Sequence, residues 1–188
     1  MRLPGGPADL LNVKTFKGSG EPAMVWESGA VKVSAIGSRH IPGHASYRVD
    51  TPAGSVVIGG DAGNNKPKPP RDTSTSSQVE KLSKGADIIV HSTIHPVMAP
   101  NGGTGFPPPV YFRQSTATDL GSMALRAGAK HLMLTHLIPP VGAASQGPYK
   151  IPGGGLTKAN YVDAVSKGGF NGNVVVGTDL VSIQLPQK

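Results

Sequence analysis

Residues 31–63 read VKVSAIGSRHIPGHASYRVDTPAGSVVIGGDAG, and this stretch decides the fold. Apolar and polar residues alternate in VKVSAI, SYRVD and SVVIGG, which is the pattern of half-buried β-strands, and Thr-Pro-Ala-Gly joins the last two as a hairpin turn. His40 lies at the end of the first strand-like run, and Asp61 lies at the end of the last. Because a hairpin brings such ends to one edge of a sheet, we expect these side chains to assemble a metal site there.

The composition indicates one domain with irregular connections. A chain of 188 residues with 26 Gly and 18 Pro is long enough for one well-buried domain and is typical of strands and turns rather than of a helical bundle. It contains no cysteine, which excludes disulfides, thiolate ligands and a cysteine nucleophile. Any metal must therefore be bound by histidine and carboxylate.

The charge pattern indicates general solubility rather than a nucleic-acid partner, and the partner that we expect is a small-molecule substrate. The formal charge is +7, from 18 basic and 11 acidic residues, but the basic residues are scattered and do not interleave with aromatic residues. We therefore expect no nucleic-acid partner. There is no apolar stretch of 18 residues and no signal-like N-terminus, so the sequence predicts no membrane contact and a cytoplasmic location as written, or a periplasmic or secreted one if an N-terminal signal is missing.

The remaining pattern alternates helices and strands. After antiparallel hairpins, this alternation predicts an α/β fold with a mixed sheet and helices on its outer face. An early strand MVWE precedes the hairpins, and a helix follows them that starts at Ser77, with Glu80 in a reciprocal cap, and ends before Gly85. Next come a strand ADIIVH ending at His91, a helix capped by Thr116 and Asp119 and ended by Gly128, and a strand HLMLTH ending at His136. The last predicted elements are a helix from Thr157 to about Lys167 and the strands NVVVG and VSIQL on either side of Asp179.

Three predicted strand ends thus present His40, Asp61 and His136. Imidazole and carboxylate together suit zinc, manganese or iron, and a catalytic zinc site keeps one position open for water. A lone histidine in a loop is more often a hydrogen-bonding residue than a ligand. Three such residues at successive strand ends favour a metal site.

The same series resembles a known family. Val31-x-Val33-x-Ala35-x-x-x-x-His40, the strand ending Gly60-Asp61, GADIIVH up to His91 and LMLTH up to His136 are similar to the second half of a metallo-β-lactamase-fold hydrolase, closest to its ribonuclease Z and arylsulfatase-like branch. The resemblance runs from Val25 to Leu185. It divides the chain into a connector at residues 1–22, with at most one strand, and a C-terminal part of a metallo-β-lactamase-like domain at residues 23–188.

The resemblance implies an αββα sandwich with two divalent metals, zinc above all, with manganese or iron as alternatives. His40 would bind one metal, His136 the second, and Asp61 would bridge both, so that Asp61 and His136 are also the catalytic residues. Asp179 matches a late aspartate near the site. The implied reaction is hydrolysis of an ester, lactone, phospho-ester or sulfo-ester by a metal-bound hydroxide.

Departures from the family pattern limit this expectation. The family's His-x-His-x-Asp-His motif should precede His40, yet no histidine does. Ser92 stands where relatives often have Glu, and Gln114 stands where ribonuclease Z relatives often carry a catalytic histidine, so RNA processing is not expected. We interpret the chain as the C-terminal portion of a longer hydrolase, weakly active or inactive alone. The alternatives are a non-catalytic binding module, and a homo-oligomer or a complementing chain that supplies the missing ligands.

The other candidate pocket residues are His44, His91 and His95. His44 is close enough in sequence to join the site, but its Pro-Gly loop favours exposure. His91 and His95 either line the pocket or are buried with a hydrogen bond. The loops at residues 101–114 and 138–155 carry aromatic residues that either stack on a substrate or anchor the loops, and Arg113 could meet an anion.

Overall fold

Seven strands form one mixed sheet. The structure, a computed structural model, describes residues 15–66 and 68–185, so most of the predicted connector lies outside the described residues. The sheet order is β1-β2-β3-β4-β5-β6-β9, antiparallel from β1 to β4 and parallel from β4 onward. The strands are β1 Ala23–Ser28, β2 Val31–Gly37, β3 Ala45–Thr51, β4 Gly54–Gly60, β5 Ile88–Ile94, β6 His131–Ile138 and β9 Asn173–Val176, with a separate hairpin of β7 Ser145–Gln146 and β8 Tyr149–Lys150.

Helices cover one face of this sheet. They are α1 Ser77–Ser83, α2 Pro108–Tyr111, α3 Ala117–Ala127 and α4 Lys158–Ser166, together with a single 3-10 turn at Pro96–Met98. The first of them packs on β2, β3 and β4, α3 packs on β5 and β6, and α4 packs on α3 and β9. Their buried apolar side chains meet Val57, Ile89, Leu132 and Leu134 of the sheet in one core. The predicted α/β class, with helices on the outer face, is confirmed.

The helix starts follow local hydrogen bonding. Thr116 caps α3 by accepting from the Asp119 amide at 3.2 Å, as predicted, and Thr157 caps α4 with Asn160 in a reciprocal pair. The reciprocal cap predicted for α1 between Ser77 and Glu80 is wrong, because the Ser76 hydroxyl accepts from the Val79 amide at 3.4 Å. The Glu80 carboxylate instead accepts from Arg126 of α3.

The opposite face of the sheet is apolar and half-exposed. Tyr47, Ile58, Val90 and Met133 are in register across β3 to β6, and the neighbouring row contains Val33, Val49 and Val56. None of these side chains is buried, and Ile58 is 43% exposed. Within residues 15–66 and 68–185, no helix packs on this side. We call this surface, defined by these seven residues, the open face.

The last predicted strand does not form. Residues 181–185 of VSIQL have no strand pairing in the described part of the chain. The chain turns after β9, where the Val181 amide donates to the Thr178 carbonyl at 3.1 Å, and runs back to the start of β4, where a Cβ on Gly54 would lie 3.0 Å from Leu185 Cδ2. In addition, no helix among the described residues is long and apolar enough to cross a membrane.

The contact between α3 and α4 depends on Gly121. A Cβ at this position would lie 2.1 Å from the Val165 carbonyl oxygen of α4. We expect Gly121→Ala to lower the free energy of unfolding by about 1–3 kcal/mol through overpacking, although alanine favours an isolated helix by about 1 kcal/mol. Gly20→Ala is the matched control, because no atom lies within 4 Å of its added Cβ. Urea denaturation measures both; an unchanged or raised midpoint for Gly121→Ala would contradict the expected clash.

Candidate metal centre

Asp61 emerges where β4 ends in two glycines. Gly60 adopts a positive φ of 60°, which glycine tolerates without steric cost, and this turns the chain so that Asp61 leaves the sheet at its edge. A Cβ on Gly60 would lie 3.0 Å from His44 Nε2. The glycine therefore serves both the turn and the close approach of a histidine ring.

Two imidazoles flank the Asp61 carboxylate, one at each oxygen. His40 Nε2 lies 3.8 Å from Oδ2, and His136 Nδ1 lies 3.9 Å from Oδ1. His40 is held near this edge because the preceding residue, Arg39, accepts at its carbonyl from the Gly63 amide at 2.9 Å. The structure thus brings together the three residues predicted as metal ligands.

His136 occupies an unusual backbone conformation. Its φ is 43°, in the left-handed region that non-glycine residues rarely adopt. Thr135 pairs with Ser92 and Leu137 pairs with Thr93, so His136 is the extra residue of a bulge in β6. The bulge turns the side chain out toward Asp61, and such strain is characteristic of functional positions.

We expect this strain to be measurable. His136→Gly should be more stable than His136→Ala by about 1 kcal/mol, because glycine adopts a positive φ without penalty. At the neighbouring Thr135, which has no positive φ, the order should reverse, with Thr135→Ala more stable than Thr135→Gly. Chemical denaturation of the four variants gives both comparisons. Equal stability of the two variants at position 136 would mean that the bulge carries no strain.

Each imidazole nitrogen and the Asp61 oxygen nearest to it are spaced almost as two ligands of one divalent metal ion would be. Nitrogen and oxygen ligands of a tetrahedral zinc ion, each about 2.0–2.2 Å from it, lie about 3.4 Å apart, slightly closer than the two pairs here. Of the six histidines, His40 and His136 are the two whose rings form no hydrogen bond with a described residue, and His40 Nδ1 is buried without a partner. However, no group of three or more His, Asp or Glu side chains in the described ranges is close enough to hold one ion.

His44 and His91 lie behind the metal ligands. His44 Nδ1 bonds the Ser38 hydroxyl at 2.8 Å, and burial, with a contribution from nearby His40, lowers its pKa. His91 is fully buried, with Nδ1 donating to the Ser92 carbonyl at 2.6 Å and Nε2 left without a partner. Burial lowers the pKa of His91 from 6.5 to about 4. Both rings therefore support the site as neutral groups.

Because the folded pKa of His91 is below its unfolded value, the unfolded chain binds more protons between pH 6.5 and about 4. The free energy of unfolding should therefore fall across this window as the pH is lowered, by about 3 kcal/mol from His91 alone. The lowered pKa values of His44 and His95 act in the same direction. Urea titrations at several pH values should show a shallower dependence of the free energy of unfolding on pH for His91→Gln than for the wild type. Identical slopes for the two proteins would refute the assignment.

Three other candidates form no hydrogen bond or ion pair with the Asp61 carboxylate within the described ranges. His95 caps the 3-10 turn, because its Nδ1 accepts from the Val97 amide at 3.1 Å and its Nε2 donates to the Asn160 carbonyl at 3.3 Å. Gln114 is buried and its Oε1 has no partner among the described residues. Asp179 lies in an exposed turn and forms no side-chain hydrogen bond or ion pair with a described residue.

A cavity of about 500 Å³ adjoins this centre, and sequence reasoning missed most of it. It shares His40 with the Asp61 cluster and is lined by Arg39, Lys68 and Arg113 as well as by Phe112. The sequence offers Arg113 as a contact for an anion and Phe112 as one of the loop aromatics that either stack on a substrate or anchor the loop, but it gives no such role to Arg39 or Lys68. The only sequence signal was the position of Arg39 directly before His40.

Comparison with solved structures defines the class of fold. The chain superposes on a metallo-β-lactamase fold protein from Bacillus subtilis, YhfI, with a TM-score of 0.56 and 15% identity, covering 87% of this chain and 52% of that one. The short form of human tRNase Z gives a TM-score of 0.54 at 15% identity, covering 89% of this chain and 47% of that one. The chain therefore has a metallo-β-lactamase fold, and the predicted fold is confirmed.

Sequence comparison gives the branch. Ribonuclease Z of Mycobacterium tuberculosis H37Rv is 21% identical over 164 residues, covering 87% of this chain and 51% of that protein. Ribonuclease Z of Mycobacterium bovis BCG gives the same identity and covers 50% of its length. No family model matches the chain. The chain spans about half the length of these relatives, and the resemblance to the ribonuclease Z branch is confirmed.

These relatives correct one expectation. The charge pattern predicted no nucleic-acid partner, and this prediction is wrong, because the relatives are named as ribonucleases. The order of basic residues along the chain does not show which of them come together on folding. Arg39, Lys68 and Arg113 are distant in sequence and line one cavity in the folded structure.

Proposed function

We propose that the domain to which this chain contributes hydrolyses phosphodiester bonds in RNA with two divalent metal ions, zinc above all. Asp61 would bridge the two ions, His40 would bind one and His136 the other. The names of the sequence relatives support a phosphodiester over the ester, lactone and sulfo-ester alternatives. Bound ions would supply a hydroxide near neutral pH and stabilise the developing negative charge.

One observation carries this proposal. Each oxygen of the Asp61 carboxylate faces a different imidazole, at 3.8 and 3.9 Å, and neither imidazole is engaged in a hydrogen bond with a described residue. A structural ion pair would bring nitrogen and oxygen to about 2.8 Å. The longer separation on both sides supports a carboxylate that accepts one ion at each oxygen.

Full activity requires ligands that the described residues do not provide. Each ion would receive one imidazole and one carboxylate oxygen here, whereas a catalytic zinc site normally has three protein ligands. We propose that a further polypeptide segment supplies them while it packs on the open face, on the same chain or on a complementing one. The half-exposed Tyr47, Ile58, Val90 and Met133 support this, because such a surface is stabilised by burial.

Two departures from the family pattern, Ser92 and Gln114, also favour slow turnover. Gln114 cannot transfer a proton, since an amide has no titratable group in the physiological range, and Ser92 replaces an acidic residue with a hydroxyl. A departing oxygen would therefore take its proton from water or from another group. For the chain alone we propose measurable metal binding with weak or absent hydrolysis.

Metal binding tests the proposal on the chain as it exists. Titration with cobalt(II), followed by absorption, and with zinc, followed by calorimetry, should show binding that weakens at least about tenfold in His136→Ala and in Asp61→Asn. His131→Ala is the matched control, because His131 lies at the other end of the same strand. Hydrolysis of a labelled RNA strand, measured in parallel, should be weak at most. Stoichiometric tight binding with rapid RNA turnover would overturn the proposed weakness.

The alternative is a non-catalytic binding module that kept the fold. It is favoured by one observation: no described group of three ligands is close enough to hold an ion. If wild type, His136→Ala and His131→Ala bind cobalt equally weakly, the metal proposal fails and this alternative stands.

A further inference from the structure

The cavity beside His40 is formed by three segments that are distant in sequence. Arg39 and His40 follow β2, Lys68 belongs to the loop after Asp61, and Phe112 and Arg113 follow α2. Gly63 joins the segments, because a Cβ at this position would lie 2.2 Å from the Arg113 carbonyl oxygen, and its amide bonds Arg39. The cavity is therefore a consequence of packing next to the Asp61 edge.

Its polar lining is positively charged. Arg39, Lys68 and Arg113 line the cavity, and no aspartate or glutamate does. In the described ranges none of these three side chains forms an ion pair with a carboxylate. The Arg39 guanidinium donates to the Asn65 carbonyl, which fixes its direction. Uncompensated cations in a concave site attract an anion, and guanidinium groups match phosphate geometry.

The rest of the lining, apart from His40 and Asn64, is apolar. Phe112 forms one wall together with Pro69, Pro108 and Pro109. Arg71 holds this wall in place, because its guanidinium carbon lies 4.9 Å from the Phe112 ring centre and its Nη1 donates to the Phe112 carbonyl at 3.0 Å. A half-buried aromatic ring beside a row of cations is the arrangement that binds a stacked base next to its phosphate.

We infer that this cavity binds one nucleotide of a single-stranded RNA, with Arg39, Lys68 and Arg113 on its phosphate and its base against Phe112. The inference rests on the proposed function for the choice of RNA as the ligand. It adds a subsite that fixes the strand beside the Asp61 edge without contributing to metal binding, except through the shared His40. Selectivity for a nucleotide over a bare phosphate would come from the stacked base, since the cations hold any phosphate.

A binding assay without metal tests this inference on the full chain. The probe is a fluorescein-labelled single-stranded RNA of about ten nucleotides in EDTA, followed by anisotropy at several salt concentrations, with unlabelled inorganic tripolyphosphate as a competitor. We expect Lys68→Gln and Arg113→Gln each to weaken RNA binding about fivefold or more and to reduce the salt slope by about 1. Phe112→Leu should weaken RNA binding at least about fivefold and leave competition by tripolyphosphate unchanged.

Lys32→Gln is the matched control. Lys32 lies near the start of β2, roughly 20 Å along the strand from Arg39, and its exposed pair with Glu27 contributes little to stability. Wild-type affinity in Lys68→Gln, Arg113→Gln and Phe112→Leu would overturn the inference, as would an equal loss in Lys32→Gln. An equal effect of Phe112→Leu on RNA and tripolyphosphate would overturn the stacked base. The RNA-binding assay is done in EDTA, so its result does not depend on the metal titration. Failure of the proposed metal site and failure of the proposed nucleotide subsite are therefore distinguishable.

Discussion

The position of Asp61 depends on the contact between β4 and the buried ring of His91. A Cβ on Gly59 would lie 2.1 Å from His91 Cδ2, so β4 approaches β5 closely only because position 59 has no side chain. The register of the two strands shifts between Ile58 and Gly60, directly beside this ring. The shift and the positive φ of Gly60 together move Asp61 out of the sheet and toward the two imidazoles. The close contact between Gly59 and the His91 ring thus determines the position of the Asp61 carboxylate, around which the candidate metal centre is arranged.

The two faces of the sheet differ in packing: one is buried under the helices, and the other is partly exposed. The helix layer buries Val57, Ile89 and Leu132 completely, and that side contains the well-packed core. The open face retains a row of apolar side chains with partial exposure, which is costly for a surface in water. The residues predicted as metal ligands, His40, Asp61 and His136, lie at the edge between these faces. A polypeptide that covers the open face would therefore approach His40, Asp61 and His136 without disturbing the helix layer.

Much of this arrangement could be predicted from local patterns. Alternation predicted β2, β3 and β4, the Thr116 cap and Gly128 predicted the ends of α3, and strand ends predicted the grouping of His40, Asp61 and His136. Two features depend on tertiary contacts and could not be predicted. The bulge at His136 arises from pairing with β5, and Glu80 pairs with Arg126 of α3 instead of joining the cap of α1, which Ser76 provides. Neighbouring strands and helices decided both.

The distribution of charge in the folded protein is a further feature that the sequence alone does not predict. A net charge of +7 spread along the chain predicts little about partners, because scattered exposed charges are screened beyond about 8–10 Å. The fold changes this by bringing Arg39, Lys68 and Arg113 within one cavity beside a half-buried aromatic ring. Within that distance their fields add, and the low-dielectric wall of Phe112 and the prolines reduces screening further. The potential that would recognise an anion is therefore a property of three converging loops, and it lies at the edge where the Asp61 carboxylate would hold its metals.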